Sequence, residues 1–266
     1  MTTNSQAPAL CGTTTFEEFF PHQEHVTKRL SVRSRLLDGE SSSCLTLIRL
    51  ADIDRLLGHK RAREEMLALF SRRELDLLDS FNRPKRKREW LGGRLAAKTA
   101  VESVLQDKIK GTGTLREYEI LPDNEYRPRV TATRRNPMPQ VSISHSGDYA
   151  VALAQQIHCC GIDIQQRTKR IEKVVSRFAT GEEIRLLETC FPAQPRLDML
   201  TMIWTAKEAF KKSLVQQPPG FAHITLYAVD TDRYAHLHLT YEHKRVLPGR
   251  VWVILLDGYV LALTTL

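Results

Sequence analysis

An internal repeat is the feature that most constrains the fold of this chain. Residues 71–105 align without a gap onto residues 180–214 at a shift of 109 positions, with eight identities. Both segments begin with the Ser/Thr-x-x-Glu pattern of a capping box, which satisfies free amides at a helix start. The repeat predicts a duplicated unit with halves at 41–157 and 158–266, preceded by a loosely ordered N-terminal segment of residues 1–40.

Each half is predicted to carry helices followed by strands. In the first half, periodicity predicts strands over 44–50, 117–123, 141–144 and 149–155, and helices over 71–80 and 84–106. In the second half it predicts strands over 159–165, 224–230, 236–242, 251–257 and 259–265, and helices over 171–190 and 196–214. Turn signals join the last two strands of each half. The pattern indicates an α+β fold of two similar halves, each an antiparallel sheet with helices packed on one face.

The charge of the chain is concentrated in one region. The 266 residues include 39 Lys and Arg against 31 Asp and Glu, but residues 83–135 alone hold 14 against 7. Such a cationic window indicates an anionic partner: nucleic acid, an anionic membrane or a phosphorylated small molecule. The run from Arg83 to Arg88, taken alone, is explained equally well by a solvated helix face.

Other features exclude several classes of protein. The longest apolar run, Val251 to Leu256, is far too short for a membrane span. The first 15 residues lack the basic and apolar regions of a secretory signal. Five cysteines without a C-x-x-C argue against a disulfide framework or a zinc site, and we expect a cytoplasmic protein. The absence of G-x-G-x-x-G and Walker patterns argues against Rossmann or P-loop nucleotide binding.

Two oxygen-bearing side chains lie close together on a predicted strand. In GIDIQ, Asp163 and Gln165 share one face, while Ile162 and Ile164 point inward on the other. The two polar side chains can share one hard cation, with Glu208 from a facing helix as a third ligand. The alternative is an aspartate that merely caps a turn.

The second long helix differs from its first copy on one face. Glu208 and Lys212 share that face with Trp204, whereas the first copy has Thr99 and Ser103 at the two charged positions. Because the two copies differ here, this face is a candidate for chemistry that only the second half performs. The alternative is an ordinary surface Glu–Lys pair.

A hydroxyl and an imidazole, from Ser144 and His145, fall where a predicted strand turns. An isolated histidine at this place is also explained as a hydrogen-bonded turn residue. The sequence contains no G-x-S-x-G, so a serine triad at a nucleophile elbow is not expected.

Four ordered motifs together resemble one enzyme family. GIDIQ at 161–165 and WTAKEAFKK at 204–212 resemble the paired signatures of the 4′-phosphopantetheinyl transferases. VSISHSGDYAVAL at 141–153 is similar to the SHS segment of that family. WLGGRLAAKTA at 90–100 is similar to a helix of its longer members, the Sfp-type and enterobactin-pathway enzymes. The resemblance spans roughly residues 60–266.

The resemblance implies a fold and an activity. The fold would be a monomeric pseudo-dimer, with coenzyme A and Mg²⁺ (or Mn²⁺ in its place) bound in the cleft between the halves. The enzyme would transfer the 4′-phosphopantetheine arm of coenzyme A to a serine of an apo acyl or peptidyl carrier protein. It would release 3′,5′-ADP.

The resemblance also implies roles for single residues. Asp163 would be a metal ligand, Glu208 a second ligand and the general base, and Lys212 a phosphate contact. The coenzyme A phosphates would be held by Lys85, Arg86, Arg94, Arg127, Ser144 and His145. The family often has Glu where this chain has Gln165, so the site would lose one negative charge. An amide carbonyl still offers an oxygen ligand.

Two other functions remain as alternatives. The basic run is compatible with a nucleic-acid-binding module, but aromatic residues make up only 7% of the chain and none cluster for base stacking. A non-catalytic homologue that binds carrier proteins or coenzyme A is suggested by Gln165 alone. We therefore expect neither nucleic acid nor membrane among the partners.

Overall fold

The computed structural model describes residues 43–106, 115–132, 137–215, 220–232, 234–243 and 245–266. The segment of residues 1–40 that was predicted to be loosely ordered lies outside these ranges. No helix within the described ranges is both long enough and apolar enough to cross a membrane.

The first half contains five strands and four α-helices among its described residues. The strands are β1 (Ser43–Arg49), β2 (Tyr118–Pro122), β3 (Pro128–Ala132), β4 (Gln140–Ser146) and β5 (Tyr149–Gln155). The helices are α1 (Leu50–Gly58), α2 (Lys60–Leu67), α3 (Arg72–Asp79) and α4 (Pro84–Gln106), with a 3₁₀ turn at Leu115–Glu117.

The second half has five strands and two α-helices in its described part. The strands are β6 (Cys160–Gln166), β7 (Ile224–Thr231), β8 (Ala235–Glu242), β9 (Val246–Leu256) and β10 (Tyr259–Thr265). The helices are α5 (Gly181–Cys190) and α6 (Arg196–Ser213), preceded by a 3₁₀ helix at Lys169–Arg177.

The sheets of the two halves follow the same plan. One sheet has the order β1-β5-β4, and the other begins in the equivalent way as β6-β10-β9 and continues through β8 to β7. All strand pairs are antiparallel, and β2 and β3 form a separate two-stranded sheet. Helix α4 packs on β5 and β1, while α6 packs on β6 and β10. The α+β class predicted from the sequence is therefore confirmed.

The predicted capping boxes start α3 and α5. Glu74 donates its amide to the Ser71 hydroxyl at 3.3 Å, and the Glu74 carboxylate accepts the Ser71 amide at 2.8 Å. Thr180 and Glu183 repeat both bonds, at 3.2 and 2.8 Å. In each half the box satisfies two amides that a helix start would leave unpaired.

A shared apolar core joins the two halves. Each sheet has one face covered by its long helix, and buried residues on the opposite faces form a third cluster. Leu47 and Val151 enter this cluster from the first half, and Ile162 and Leu261 from the second. Because side chains of both halves are buried together, groups at their junction are held in fixed relative positions.

The structure corrects one predicted helix and adds elements that the patterns did not predict. Residues 171–190 were expected to form one helix, but a 3₁₀ helix ends at Arg177 and α5 begins only at Gly181. The Thr180 cap restarts the helix there. Helices α1 and α2 and strand β3 were not predicted.

Candidate active site at the junction of the halves

One face of α6 is more exposed to solvent than the rest of the helix. From Met199 to the end of the helix, every side chain is buried except those of Trp204, Glu208, Lys211 and Lys212, which are half-buried. Leu200 and Phe210, on the other side, are fully buried. The predicted separation of an apolar face from a Trp–Glu–Lys face is confirmed, and Lys212 at the end of that face contacts β4 of the first half.

A glycine in β6 lets α6 approach the strand closely. A Cβ atom at Gly161 would overlap the backbone carbonyl of Ala209, and it would also crowd the amide of Ser213. Because side chains alternate along a strand, Asp163 lies on the same face as Gly161 and therefore faces α6. The close approach brings Asp163 beside the polar face of the helix.

Asp163 is held by donors from both halves. Its Oδ1 accepts the Ser144 hydroxyl of β4 at 2.6 Å and the Lys212 ammonium of α6 at 2.7 Å. Lys212 also donates to the carbonyls of Ile162, at 3.0 Å, and Ile143, at 3.4 Å. In this structure Lys212 therefore binds acceptors of the protein itself, and its contact with a phosphate stays a prediction.

The pKa of the Glu208 carboxylate, on the face of α6 that carries Lys212, is shifted from its ordinary value. Burial raises the pKa of Glu208, the negative charge of Asp163 raises it further, and Lys212 and Lys211 oppose the shift. A half-buried carboxylate whose charge is disfavoured by burial and by a neighbouring aspartate is a favourable environment for a cation.

The side chains at the junction fit Mg²⁺ better than they fit a metal ion whose ligands all come from the protein. Within the described residues, no group of three or more His, Cys, Asp and Glu side chains is placed to hold a metal ion. Mg²⁺ commonly takes one or two carboxylates and completes its octahedron with water and substrate phosphates. Asp163 and Glu208 can supply the two carboxylates.

Gln165 follows Asp163 on the same face of β6. Its side-chain amide donates to the backbone carbonyl of Gln166 at 3.2 Å. This bond uses the nitrogen, so the amide oxygen is the atom with which Gln165 would act on a cation. A metal-binding role for Gln165 stays a prediction.

The structure brings together His145 and Arg86, two residues to which the resemblance assigns coenzyme A phosphates. The guanidinium of Arg86 lies 3.3 Å from Nε2 of His145, at the end of β4. Glu89, one turn beyond Arg86 on α4, has its carboxylate 3.8 Å from Nδ1 of His145. Burial lowers the pKa of His145. Glu89 was not predicted from the sequence, although its spacing from Arg86 on one helix was a usable signal.

Lys85 and Arg94 lie on α4 in different surroundings. Lys85 is exposed, 3.8 Å from the Glu89 carboxylate. Arg94 stacks on Trp90, with 5.4 Å between the guanidinium carbon and the ring centre. Burial lowers the pKa of Arg94 to about 10, so it remains charged at neutral pH. Its buried Nε has no hydrogen-bond partner among the described residues.

Arg127 connects the β2–β3 hairpin to the end of α6. It forms ion pairs with Asp123 at 3.5 Å and Glu125 at 2.9 Å. Its guanidinium also donates to the backbone carbonyls of Leu214 and Val215. Arg127 and Lys212 both line a cavity of about 780 Å³ that runs between the halves.

Comparisons with known proteins match the second half of the chain to one family. Residues 159–264 match the family model ACPS, the 4′-phosphopantetheinyl transferase superfamily. A holo-[acyl-carrier-protein] synthase of Streptococcus agalactiae serotype III (strain NEM316) is 39% identical over 84 residues, which are 32% of this chain and 70% of that protein. The holo-[acyl-carrier-protein] synthase of Exiguobacterium sp. (strain ATCC BAA-1283 / AT1b) is 33% identical over 103 residues, 39% of this chain and 83% of that protein.

Two solved structures of similar proteins each cover 42% of this chain. A holo-(acyl-carrier-protein) synthase from Bacillus anthracis str. Ames, in complex with CoA (3′,5′-ADP), has 22% identity and a TM-score of 0.37 over 42% of this chain and 92% of that one. The Helicobacter pylori holo-[acyl-carrier-protein] synthase in complex with coenzyme A has 22% identity and a TM-score of 0.35, over 42% and 96%.

The decisive relatives are the two synthases, because each aligns over more than two thirds of its own length at above 30% identity. The matched range of the family model, residues 159–264, contains Asp163, Glu208 and Lys212. On these grounds, the chain belongs to the 4′-phosphopantetheinyl transferase superfamily.

Proposed function

We propose that this protein transfers the 4′-phosphopantetheine arm of coenzyme A to a serine of an apo acyl or peptidyl carrier protein, releasing 3′,5′-ADP. The observation that carries the proposal is the ion pair of Lys212 with Asp163 at 2.7 Å, one helical turn from Glu208 on α6. Relatives named holo-[acyl-carrier-protein] synthase support the reaction class.

Coenzyme A would bind through its phosphates to the first half. Arg86 and His145 form one basic group at the end of β4, and Arg94 offers a half-buried guanidinium on α4. Lys85 adds an exposed ammonium on the same helix. Charge-assisted bonds from such groups to phosphate oxygens are stronger than neutral ones, which explains why the basic residues concentrate here.

The second half would hold the metal ion. Asp163 and Glu208 are the proposed ligands, with the Gln165 carbonyl oxygen as a third. Mg²⁺, when bound, would supply positive charge beside the pyrophosphate. The charge of Asp163 contributes to the raised pKa of Glu208, and this electrostatic strain supports a cation between the two carboxylates.

The chemical step needs a base, because a serine hydroxyl is not acidic at neutral pH. Glu208 would accept the proton as the serine oxygen bonds to the phosphorus that carries the pantetheine arm. The bond from that phosphorus to the bridging pyrophosphate oxygen breaks, and the electron pair leaves with 3′,5′-ADP.

The cavity beside Lys212 is a suitable place for the pantetheine arm. Its volume of about 780 Å³ lies within the range of small-molecule sites. Met138 and Leu214 give it apolar walls, while Arg127 and Lys212 give it polar ones. An arm that combines methyl and amide groups matches such a mixed lining.

Both sides of the proposed site come from one chain. The groups for coenzyme A lie within residues 41–157, and those for the metal and the base lie within residues 158–266. We take these ranges as the two functional halves. Since one chain supplies both, a monomer suffices for activity.

The proposal is tested by following the nucleotide product. The protein is incubated with coenzyme A, Mg²⁺ and a panel of apo acyl and peptidyl carriers, and 3′,5′-ADP is quantified by chromatography. We expect release that requires a carrier, stops with a chelator, and is absent for a carrier whose modified serine is replaced by alanine. Coenzyme A binding without release on any carrier would favour the non-catalytic alternative and contradict the proposal.

A further inference from the structure

Three serines of β4 form a ladder along the open edge of β6. β6 is the edge strand of the five-stranded sheet, so its outward amides lack a strand partner in the described part of the chain. The hydroxyls of Ser142, Ser144 and Ser146 accept, in that order, the amides of Ile162, Ile164 and Gln166 at 3.1, 3.3 and 3.0 Å. This serine ladder takes the place of a neighbouring strand and ties the two halves together.

Ser144 makes one contact that its neighbour Ser142 does not. Ser144 donates its only hydroxyl proton to Oδ1 of Asp163 at 2.6 Å. Ser142, on the same face of β4, binds the Ile162 amide and no carboxylate among the described residues. Lys212 donates to the same Oδ1. One oxygen of Asp163 is thus fixed by two donors, and Oδ2 is the oxygen left for a cation.

The donor count argues against Ser144 as a phosphate ligand. A serine hydroxyl has one proton to donate, and phosphate oxygens at neutral pH are mainly acceptors. Ser144 has already donated that proton to Asp163 and accepts the amide of Ile164. Its side chain is also buried, with 7% exposed. A bond to a coenzyme A phosphate would require the Asp163 bond to break.

The geometry points to Ser144 as a positioning residue that orients the Asp163 carboxylate toward the metal ion, and not as a ligand of coenzyme A. This inference rests on the proposed function. It also means that β4 of the first half sets the orientation of a metal ligand that β6 of the second half provides. Removing a residue that orients a metal ligand typically lowers the metal affinity ~10–100-fold.

The test compares Ser144→Ala with Ser142→Ala, because each variant removes one rung of the serine ladder and only the first removes a donor from Asp163. Free Mn²⁺ is measured by electron paramagnetic resonance in titrations of the protein with coenzyme A present and no carrier. Coenzyme A binding is measured separately by calorimetry in a chelator. We expect Ser144→Ala to weaken Mn²⁺ binding ~10–100-fold. Ser142→Ala should bind Mn²⁺ like the wild type, and both should keep their metal-free affinity for coenzyme A.

Two further variants guard against a loss of folding. Ser144→Thr keeps the hydroxyl and should restore Mn²⁺ binding, while Ser144→Cys keeps the volume but donates weakly and should not. Thermal unfolding of each variant establishes that the comparison is made on folded protein.

Three outcomes would overturn the inference. Ser144→Ala with normal Mn²⁺ binding and weakened metal-free coenzyme A binding would make Ser144 a phosphate ligand. Equal losses of Mn²⁺ affinity in Ser144→Ala and Ser142→Ala would assign the effect to the ladder as a whole. Normal behaviour of Ser144→Ala in both assays would remove the role. A wild-type protein that binds neither Mn²⁺ nor coenzyme A would instead contradict the proposed function itself.

Discussion

The ammonium of Lys207 lies 2.6 Å from the carboxylate of Glu183, and both side chains are almost fully buried. The repeat places the same pair in the first half, where Lys98 lies 2.9 Å from Glu74. Each glutamate also accepts a backbone amide from the strand packed beside it. Burial lowers the pKa of both lysines. Lys98 and Lys207, which are identical in the two copies of the repeat, are thus explained by packing within each half and not by a catalytic role.

Replacing Lys207 by Met should destabilise the fold, because it leaves the buried charge of Glu183 without its partner. We expect the free energy of unfolding to fall by ~3–5 kcal/mol. The measurement is urea unfolding followed by circular dichroism. Arg196→Met is the matched control, since it breaks an exposed ion pair with Glu188 and should cost about 0–1 kcal/mol. Equal stability of the two variants would contradict the structural role of Lys207.

Gly161→Ala should disturb the site through the backbone of α6. The added methyl group would overlap the carbonyl of Ala209, so the helix must move away from β6 and from Asp163. We expect a lower unfolding midpoint and a higher Mg²⁺ requirement for transfer. Gly58→Ala is the control, because a Cβ there meets no atom within 4 Å. If both variants unfold and titrate alike, the close approach at Gly161 does not position Asp163.

Arg86→Ala should weaken the binding of coenzyme A. A charge-assisted hydrogen bond contributes ~1.5–3 kcal/mol, so the KM for coenzyme A should rise at least about tenfold while the unfolding midpoint stays close to that of the wild type. The effect should shrink at high salt. Arg61→Ala, which removes an exposed charge from α2, is the control. A KM that rises equally in both variants would indicate a general effect of net charge.

Gln165→Glu should lower the Mg²⁺ concentration that gives half-maximal transfer. The change adds a carboxylate on the face of β6 that carries Asp163, and negative charge strengthens the binding of a hard cation. Asp163→Asn should shift the titration in the opposite direction. A Mg²⁺ titration of initial rates compares the three proteins. A curve for Gln165→Glu that coincides with the wild type would remove Gln165 from the metal site.

Local signals in the sequence predicted much of the fold. Helix α4 and the last strand of each half, β5 and β10, occur within the predicted bounds, because hydrophobic periodicity and tight turns are encoded by neighbouring residues. The capping boxes at Ser71 and Thr180 are equally local. The Thr180 box was also a local signal against one continuous helix over 171–190, because a capping box inside a helical pattern indicates that a new helix begins there.

Contacts between distant segments could not be predicted in the same way. Strand β3 is short, begins at Pro128 and exists through its pairing with β2. The bond from Ser144 to Asp163 joins two halves of the chain, and no spacing in the sequence encodes it. The resemblance grouped Asp163 with Glu208, but the attachment of Lys212 to Asp163 required the packing of α6 on β6.

The intact mass of an apo-carrier tests the central claim most directly. With coenzyme A and Mg²⁺, the wild-type protein should add the mass of one phosphopantetheine to the carrier. Glu208→Gln should bind coenzyme A and unfold at a similar midpoint, but it should lose most of the transfer because it lacks the proton acceptor. An unmodified carrier with the wild-type protein, beside complete conversion by a known transferase, would contradict the function. Transfer by Glu208→Gln at the wild-type rate would contradict the role of Glu208 as the base.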